Sequence, residues 1–279
     1  MKWWYFLIGI IATAVLIFLG VYFFSMKFEC GDGTFYGFCS ENRPYFCDRG
    51  VLVEKAFVCG CPENFEIQVE KCFSDYKTTS ENRDFLYFLN NKESKIDFIV
   101  YEGFVDYLQS FSKEMKPIDG NNISRENFKL KSINEENQRE MLLPLLVEIQ
   151  NLASNKKEQF KIAVSLVQNI PYGISNKKDL FYGKELNYSR YPYEVLYDKE
   201  GICGERSELL AFLLKELGYG VVIYYYPFEN HEAVGVKCTN KNSYDGYCYI
   251  ETTTSLEVEL ISKPEIIFIS DGKSVDFLF

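Results

Sequence analysis

The sequence predicts an α+β fold, with helices packed on an antiparallel sheet, preceded by an apolar helix and a small cysteine-rich module. Three observations carry this reading. Residues 3–24 contain no charged side chain. Six cysteines, Cys30, Cys39, Cys47, Cys59, Cys61 and Cys72, crowd into the segment that follows. Farther along, a helix lined by Leu209, Leu210, Leu213, Leu214 and Leu217 runs into three segments rich in β-branched and aromatic residues. The expected organisation is an anchor over 1–27, a cysteine-rich module over 28–75 and one domain over 76–279, its motif core at about 158–256.

The first element is read from length and composition. A run of about 22 uncharged residues, Trp3 to Phe24, covers the ~30 Å hydrocarbon slab of a bilayer at 1.5 Å per residue. It is longer than the apolar core of a secretory signal and lacks a small-residue cleavage site, so an uncleaved transmembrane anchor is expected. Trp3, Trp4 and Tyr5 at one end and Tyr22 to Phe24 at the other suit interfacial belts. The cysteine density after it reads as disulfides, which places the chain at the cell membrane, single-pass, with its soluble domain outside. A zinc knuckle is the competing reading, but CxxC pairs are missing and Cys59-Gly60-Cys61 is a poor chelating span. Gly, Pro and Asn turns with few long apolar runs describe a mini-domain stapled by cross-links.

The polar stretch Lys77 to Asn82 reads as a linker. Beyond it, Lys95 to Tyr101 predicts a strand and Phe104 to Phe111 a short helix. Leu142 to Leu152 has helical spacing, with Pro144 starting or kinking that helix, and Phe160 to Val167 predicts a second amphipathic helix. The Leu-lined helix opens at Cys203 and ends at Gly218. Val221 to Tyr226, His231 to Val236 and Tyr247 to Thr252 are the three predicted strands.

Composition narrows the function. With 279 residues, 47% of them hydrophobic, the chain can bury an ordinary core, which excludes disorder. Thirty Lys and Arg against 40 Asp and Glu leave a net charge of -10, which repels phosphate and excludes a nucleic-acid binder. Nine cysteines include six in the module and Cys238 with Cys248 flanking a polar loop, which leaves Cys203 unpaired. A thiol at a helix N-terminus feels the partial positive charge of unpaired N–H groups, as a nucleophile requires. The sequence holds one histidine, His231, and a cysteine nucleophile needs one base.

The segments Tyr191-Pro192-Tyr193-Glu194-Val195-Leu196, Gly201-Ile202-Cys203-Gly204-Glu205-Arg206-Ser207, Leu217-Gly218-Tyr219, Asn230-His231 and Tyr249-Ile250-Glu251-Thr252-Thr253 occur in the order of the transglutaminase-like superfamily. The chain resembles its archaeal branch, and the cysteine-rich stretch resembles a module found beside membrane anchors in archaeal surface proteins. The resemblance implies a papain-like core in which Cys203 is the nucleophile, His231 the general base and Glu251 the acid. Most relatives carry Asp at the last position. It further implies a thiol enzyme acting on amide or isopeptide bonds of a protein, peptide or cell-wall substrate, more a peptidase or amidohydrolase than a cross-linking transglutaminase. The backbone N–H of Cys203 is one oxyanion donor, and Tyr172 and Tyr191 are candidates for a second. A catalytically inactive binding or scaffold protein, which the Glu favours, and a redox role for Cys203 are the alternatives. No oxygen-rich cation loop is visible, so neither metal nor cofactor is expected. Asn122 and Asn187 open possible glycan sequons.

One conflict is internal to the sequence. If His231 and Glu251 stand opposite each other in a hairpin, Cys248 faces Val234, four residues along from Cys238. That offset is about 13 Å at ~3.3 Å per residue, against a Cα limit of about 7 Å for a disulfide. Both features coexist only if the strand ends before Cys238 or a bulge near Gly246 shifts the register.

Overall fold

The computed structural model describes residues 2–26, 29–110, 125–181, 184–187, 189–239, 243–253 and 262–276. The chain divides into two units, Met1–Phe73 with Gln150–Ser154, and Ser74–Ile149 with Asn155–Phe279.

The first unit opens with helix α1, Lys2–Met26. Here the transmembrane expectation for Trp3 to Phe24 is corrected: among the described residues no helix is long and apolar enough to cross a membrane. Strands β1 (Tyr45–Asp48) and β2 (Val51–Glu54) form a hairpin. Its two-residue turn, Arg49 and Gly50, has φ of 52° and 86°, the left-handed pair that matches strand twist. Helix α2 (Ala56–Cys59) and strands β3 (Glu66–Gln68) and β4 (Lys71–Phe73) complete it. All six cysteines pair, as Cys30–Cys47, Cys39–Cys59 and Cys61–Cys72, so their sulfurs are cross-links and not zinc ligands. With strands of three or four residues the apolar core is small, and short covalent loops replace burial as the restraint on the unfolded chain.

The second unit is α+β. Strands β5 (Ser80–Leu89) and β6 (Lys92–Tyr101) pair antiparallel over their whole length. The predicted linker at 77–82 is therefore already strand from Ser80, and its polar character comes from Ser80, Glu81 and Asn82 facing solvent. Helices α3 (Glu102–Ser110), α4 (Arg125–Ile133), α5 (Glu136–Leu152) and α6 (Lys156–Gln168) follow. Pro144 lies inside α5, on an exposed position, and does not start it. A short hairpin, β7 (Lys178–Phe181) with β8 (Lys184–Asn187), precedes helices α7 (Pro192–Asp198) and α8 (Cys203–Glu216). Asn187 closes β8, and Asn122 lies outside the described residues.

Four antiparallel strands, β9 (Val221–Tyr226), β10 (His231–Lys237), β11 (Tyr247–Ile250) and β12 (Glu265–Ser270), form the main sheet in the order β11-β10-β9-β12. Helix α8 packs against β9, β10 and β12, with α6 and α7 against its other sides. Leu209, Leu210, Leu213 and Leu214 are wholly buried there, as an apolar helix in mid-layer requires. Gly218, at φ 90°, lets the chain leave α8 in the left-handed conformation.

The register resolves the conflict noted above. Val234 faces Ile250 and Val236 faces Cys248, so Cys248 is only two residues diagonal from Cys238. The strand β10 ends at Lys237, and the Cys238–Cys248 bridge forms at a Cα separation of 5.8 Å. Four disulfides in all are consistent with an extracellular or secreted domain.

Candidate functional site

Cys203 is the first residue of α8 and the free cysteine among the described residues. Ile202 caps the helix in an extended conformation, and the Glu205 carboxylate accepts its N–H at 3.0 Å. Glu205 also accepts the Arg190 N–H at 2.8 Å, so the loop entering α8 is tied to the helix's first turn. The first intrahelical bond runs from Arg206 N–H to the Ile202 carbonyl, which leaves the Cys203 N–H among the unpaired donors at the head of the helix. Gly204 follows, and a Cβ there would stand 2.9 Å from Glu232 Oε2 and 3.1 Å from Lys129 Nζ, so these side chains would have to shift to admit it. Those two groups form a buried ion pair at 2.7 Å, extended to Glu208 at 2.5 Å and to Arg125, on Glu232, at 2.6 Å.

His231 opens β10. Asn230, at φ 46°, turns the chain out of the β9–β10 connection, a left-handed position that Asn tolerates. The imidazole is buried, 4% exposed, and its Nε2 lies 2.9 Å from Glu251 Oε2. A carboxylate only accepts, so Nε2–H donates and Nδ1 is the ring nitrogen left for the thiol. Burial disfavours the imidazolium, but hydrogen bonding to Cys203 and Glu251, with their charges, outweighs it and holds His231 up at about 9.

Glu251 stands one residue beyond the end of β11, a correction to the strand predicted through Thr252. The observed register would set Ala233, not His231, opposite Glu251, so the acid reaches its base diagonally from a loop. That reach is where the extra methylene of Glu over Asp is used. The loop then wraps the carboxylate: Oε1 accepts the N–H groups of Thr252 and Thr253 at 2.8 Å each and the Thr253 hydroxyl at 2.7 Å, while Oε2 accepts the Tyr249 hydroxyl at 2.5 Å. Burial would raise this carboxyl, but its bonds from His231, Tyr249 and Thr253 prevail and bring it down to about 2.

The structure thus brings His231 and Glu251 into contact, with the charge of Cys203 acting on the same ring. The Tyr191 side chain is buried at the head of α7, where burial and the charges of Glu135, Glu194 and Glu208 push its hydroxyl up. Tyr172 is half exposed. Glu194, conspicuous in the sequence motif, caps α7 by accepting the Tyr191 N–H at 2.9 Å and binds the Gln109 amide at 3.0 Å. Sequence reasoning missed Tyr249 and Thr253 as holders of the acid, although both lie within two residues of it. It also passed over Arg206, whose Nη1 donates to the Ile170 carbonyl at 2.6 Å and whose Nη2 donates to the Thr252 carbonyl. Ser207 Oγ lies 3.2 Å from Thr252 Oγ1, so two successive α8 residues grip the residue after the acid.

A cavity of about 150 Å³ lies between β5 and the Asn169–Pro171 segment, lined by Asp84, Phe85, Leu166 and Lys199 among others, and none of the three site residues borders it. Among the described residues no cluster of three or more side chains suited to a metal ion is present. Comparison with protein-family models, with curated proteins and with solved structures finds no match to the chain.

Proposed function

We propose that this protein is a thiol enzyme acting on amide or isopeptide bonds, with Cys203 as nucleophile, His231 as base and acid, and Glu251 as the group that orients the ring. One observation carries the reading: the single imidazole of the chain is held by a carboxylate at 2.9 Å on Nε2 and is electrostatically coupled to the free thiol at the head of a buried helix. The resemblance of the motifs around Cys203, His231 and Glu251 to the transglutaminase-like superfamily points to the same chemistry. So does the order of the elements, with the thiol on a helix packed against antiparallel strands that carry the base and present the acid.

His231 takes the Cys203 proton as the sulfur becomes the nucleophile, and Glu251 on Nε2 favours the imidazolium so formed. The sulfur attacks the amide carbonyl, forming a C–S bond and an oxyanion that the Cys203 N–H stabilises. Collapse breaks the C–N bond as His231 gives its proton to the departing amine, leaving a thioester. Water, activated by the now neutral ring, attacks the thioester; the acid leaves and the sulfur recovers its proton partner. An amine in place of water gives transfer. A dipole at the helix head and a buried, oriented ring favour each charged step. Protein, peptide or cell-wall amides outside the cell are the substrate class, in keeping with a disulfide-bonded chain.

The Glu at the acid position, which speaks for an inactive scaffold in the sequence, loses that force because Thr252, Thr253 and Tyr249 hold it on the ring. The experiment is labelling by a thiol-directed electrophile at pH 6, together with hydrolysis of a fluorogenic amide or isopeptide panel, for wild type and Cys203→Ala. Fast labelling and turnover lost in the variant are expected. A wild-type thiol no more reactive than free cysteine at that pH would overturn the proposal.

A further inference from the structure

Arg206 is wholly buried, 2% exposed, and it carries a charge. The other buried basic side chains face carboxylates: Lys129 faces Glu208 and Glu232, and Arg190 faces Asp198, Glu200 and Glu205. Among the described residues Arg206 pairs with none. Its two terminal nitrogens are spent on the carbonyls of Ile170 and Thr252, and its buried Nε has no hydrogen-bond partner. Carbonyl dipoles are weak compensation for an ion removed from water, so such a cation is expensive to keep. Its place gives the reason. Arg206 is three residues after Cys203, on the same side of α8. Thr252 adjoins the acid. Ile170 precedes Pro171, whose carbonyl accepts the Gly201 N–H at 3.1 Å in the loop that delivers the thiol.

Resting on the thiol-enzyme reading, we propose that Arg206 is a positioning residue of this site: its guanidinium clamps both flanking loops to α8, keeping Glu251 within reach of His231, and its uncompensated charge favours a negative sulfur at Cys203. Burial acts to discharge the guanidinium, and the charges that favour it are those of Glu251 and Cys203. Arginine nevertheless stays protonated. The surrounding charges leave it this task. Glu205, across Gly201, is bound to Arg190; Glu232 and Glu208 are bound to Lys129, with Arg125 also on Glu232; and His231 is engaged by Glu251 and Cys203.

The test measures iodoacetamide alkylation of Cys203 in the full chain from pH 5 to 10, for wild type, Arg206→Met and Arg206→Lys, with thermal unfolding recorded for each. Loss of a nearby cation from a low-dielectric site is expected to slow alkylation at pH 6 at least about fivefold in the methionine variant. The lysine variant, which keeps the charge but cannot span two carbonyls, stays within about twofold of wild type while its amide hydrolysis falls about tenfold or more. A folded methionine variant with the wild-type profile overturns the role. If the methionine variant does not fold, the lysine variant decides: an alkylation loss of about fivefold or more there means that the charge is not what acts, and the proposal fails. Because alkylation needs no substrate, an unreactive wild type removes the enzyme reading, whereas a reactive wild type matched by the methionine variant removes only the part given to Arg206.

Discussion

Replacing Glu251 by Gln removes one charge from the site while leaving its volume nearly unchanged. In the wild type the rise of His231 from 6.5 to about 9 is worth about 3 kcal/mol, at roughly 1.4 kcal/mol per unit. That figure is net: burial works against the imidazolium, and Cys203 and Glu251 together overcome it. The ring is 4% exposed, so solvent screens these interactions little. Because the two partners also offset burial, half of the net gain is a lower bound for the carboxylate, at least about 1–2 kcal/mol, so His231 in the variant titrates at least about one unit lower. The amide also loses acceptor capacity. Its single oxygen cannot serve Thr252, Thr253 and Tyr249 as two carboxylate oxygens do, and its NH2 group meets the ring's Nε2–H donor to donor unless the tautomer changes. The assay is imidazole NMR against pH, and with one histidine in the chain the resonance needs no assignment. A wild-type ring titrating near 6.5, or a variant ring within about 0.3 unit of wild type, would refute the account of how the site is charged.

Three further outcomes follow from the same contacts. Since His231 is raised when folded, its stabilising proton is fully present below about pH 6.5 and lost as pH climbs through about 9; the urea midpoint of wild type declines over that window, and His231→Gln flattens the decline. Glu251 is lowered to about 2, so the acid side of the same pair holds above about pH 4.5 and fades as pH falls toward 2, and the two contributions describe one interaction and are not added. Gly204→Ala gains about 1 kcal/mol of helix propensity, but its Cβ enters the buried Glu232–Lys129 pair at 2.9 Å; a net loss of about 1–2 kcal/mol in chemical denaturation is expected, with slower alkylation of Cys203. Lys129→Met strands the buried Glu208 carboxylate and leaves Glu232 with Arg125 alone, and is expected to cost about 3–5 kcal/mol by urea denaturation.

Much of the site's chemistry was legible in residue types. One histidine and an odd cysteine before a Leu-rich run single out Cys203 and His231 without any coordinates, because pairing parity and helix-end electrostatics are properties of short segments. The six paired cysteines of the module are legible for a similar reason: a segment with too little apolar surface must be held covalently. The boundary errors have a physical cause too. Polar residues at 80–82 look like a linker because a strand with one wet face carries the same side chains as a loop, and the uncharged run at the N-terminus invites a membrane reading that among the described residues no helix meets.

What composition and spacing determined by themselves is therefore local: which residues can bear charge, where α8 begins, and which segments prefer extended backbone. Tertiary structure alone decided the register of β10 on β11, and with it both the Cys238–Cys248 bridge and the diagonal reach of Glu251 to His231. It also decided that Arg206, an ordinary charged helix residue on paper, is buried against two carbonyls from distant loops. Register and burial depend on contacts between residues far apart in the chain, and no single segment encodes the partner it will meet.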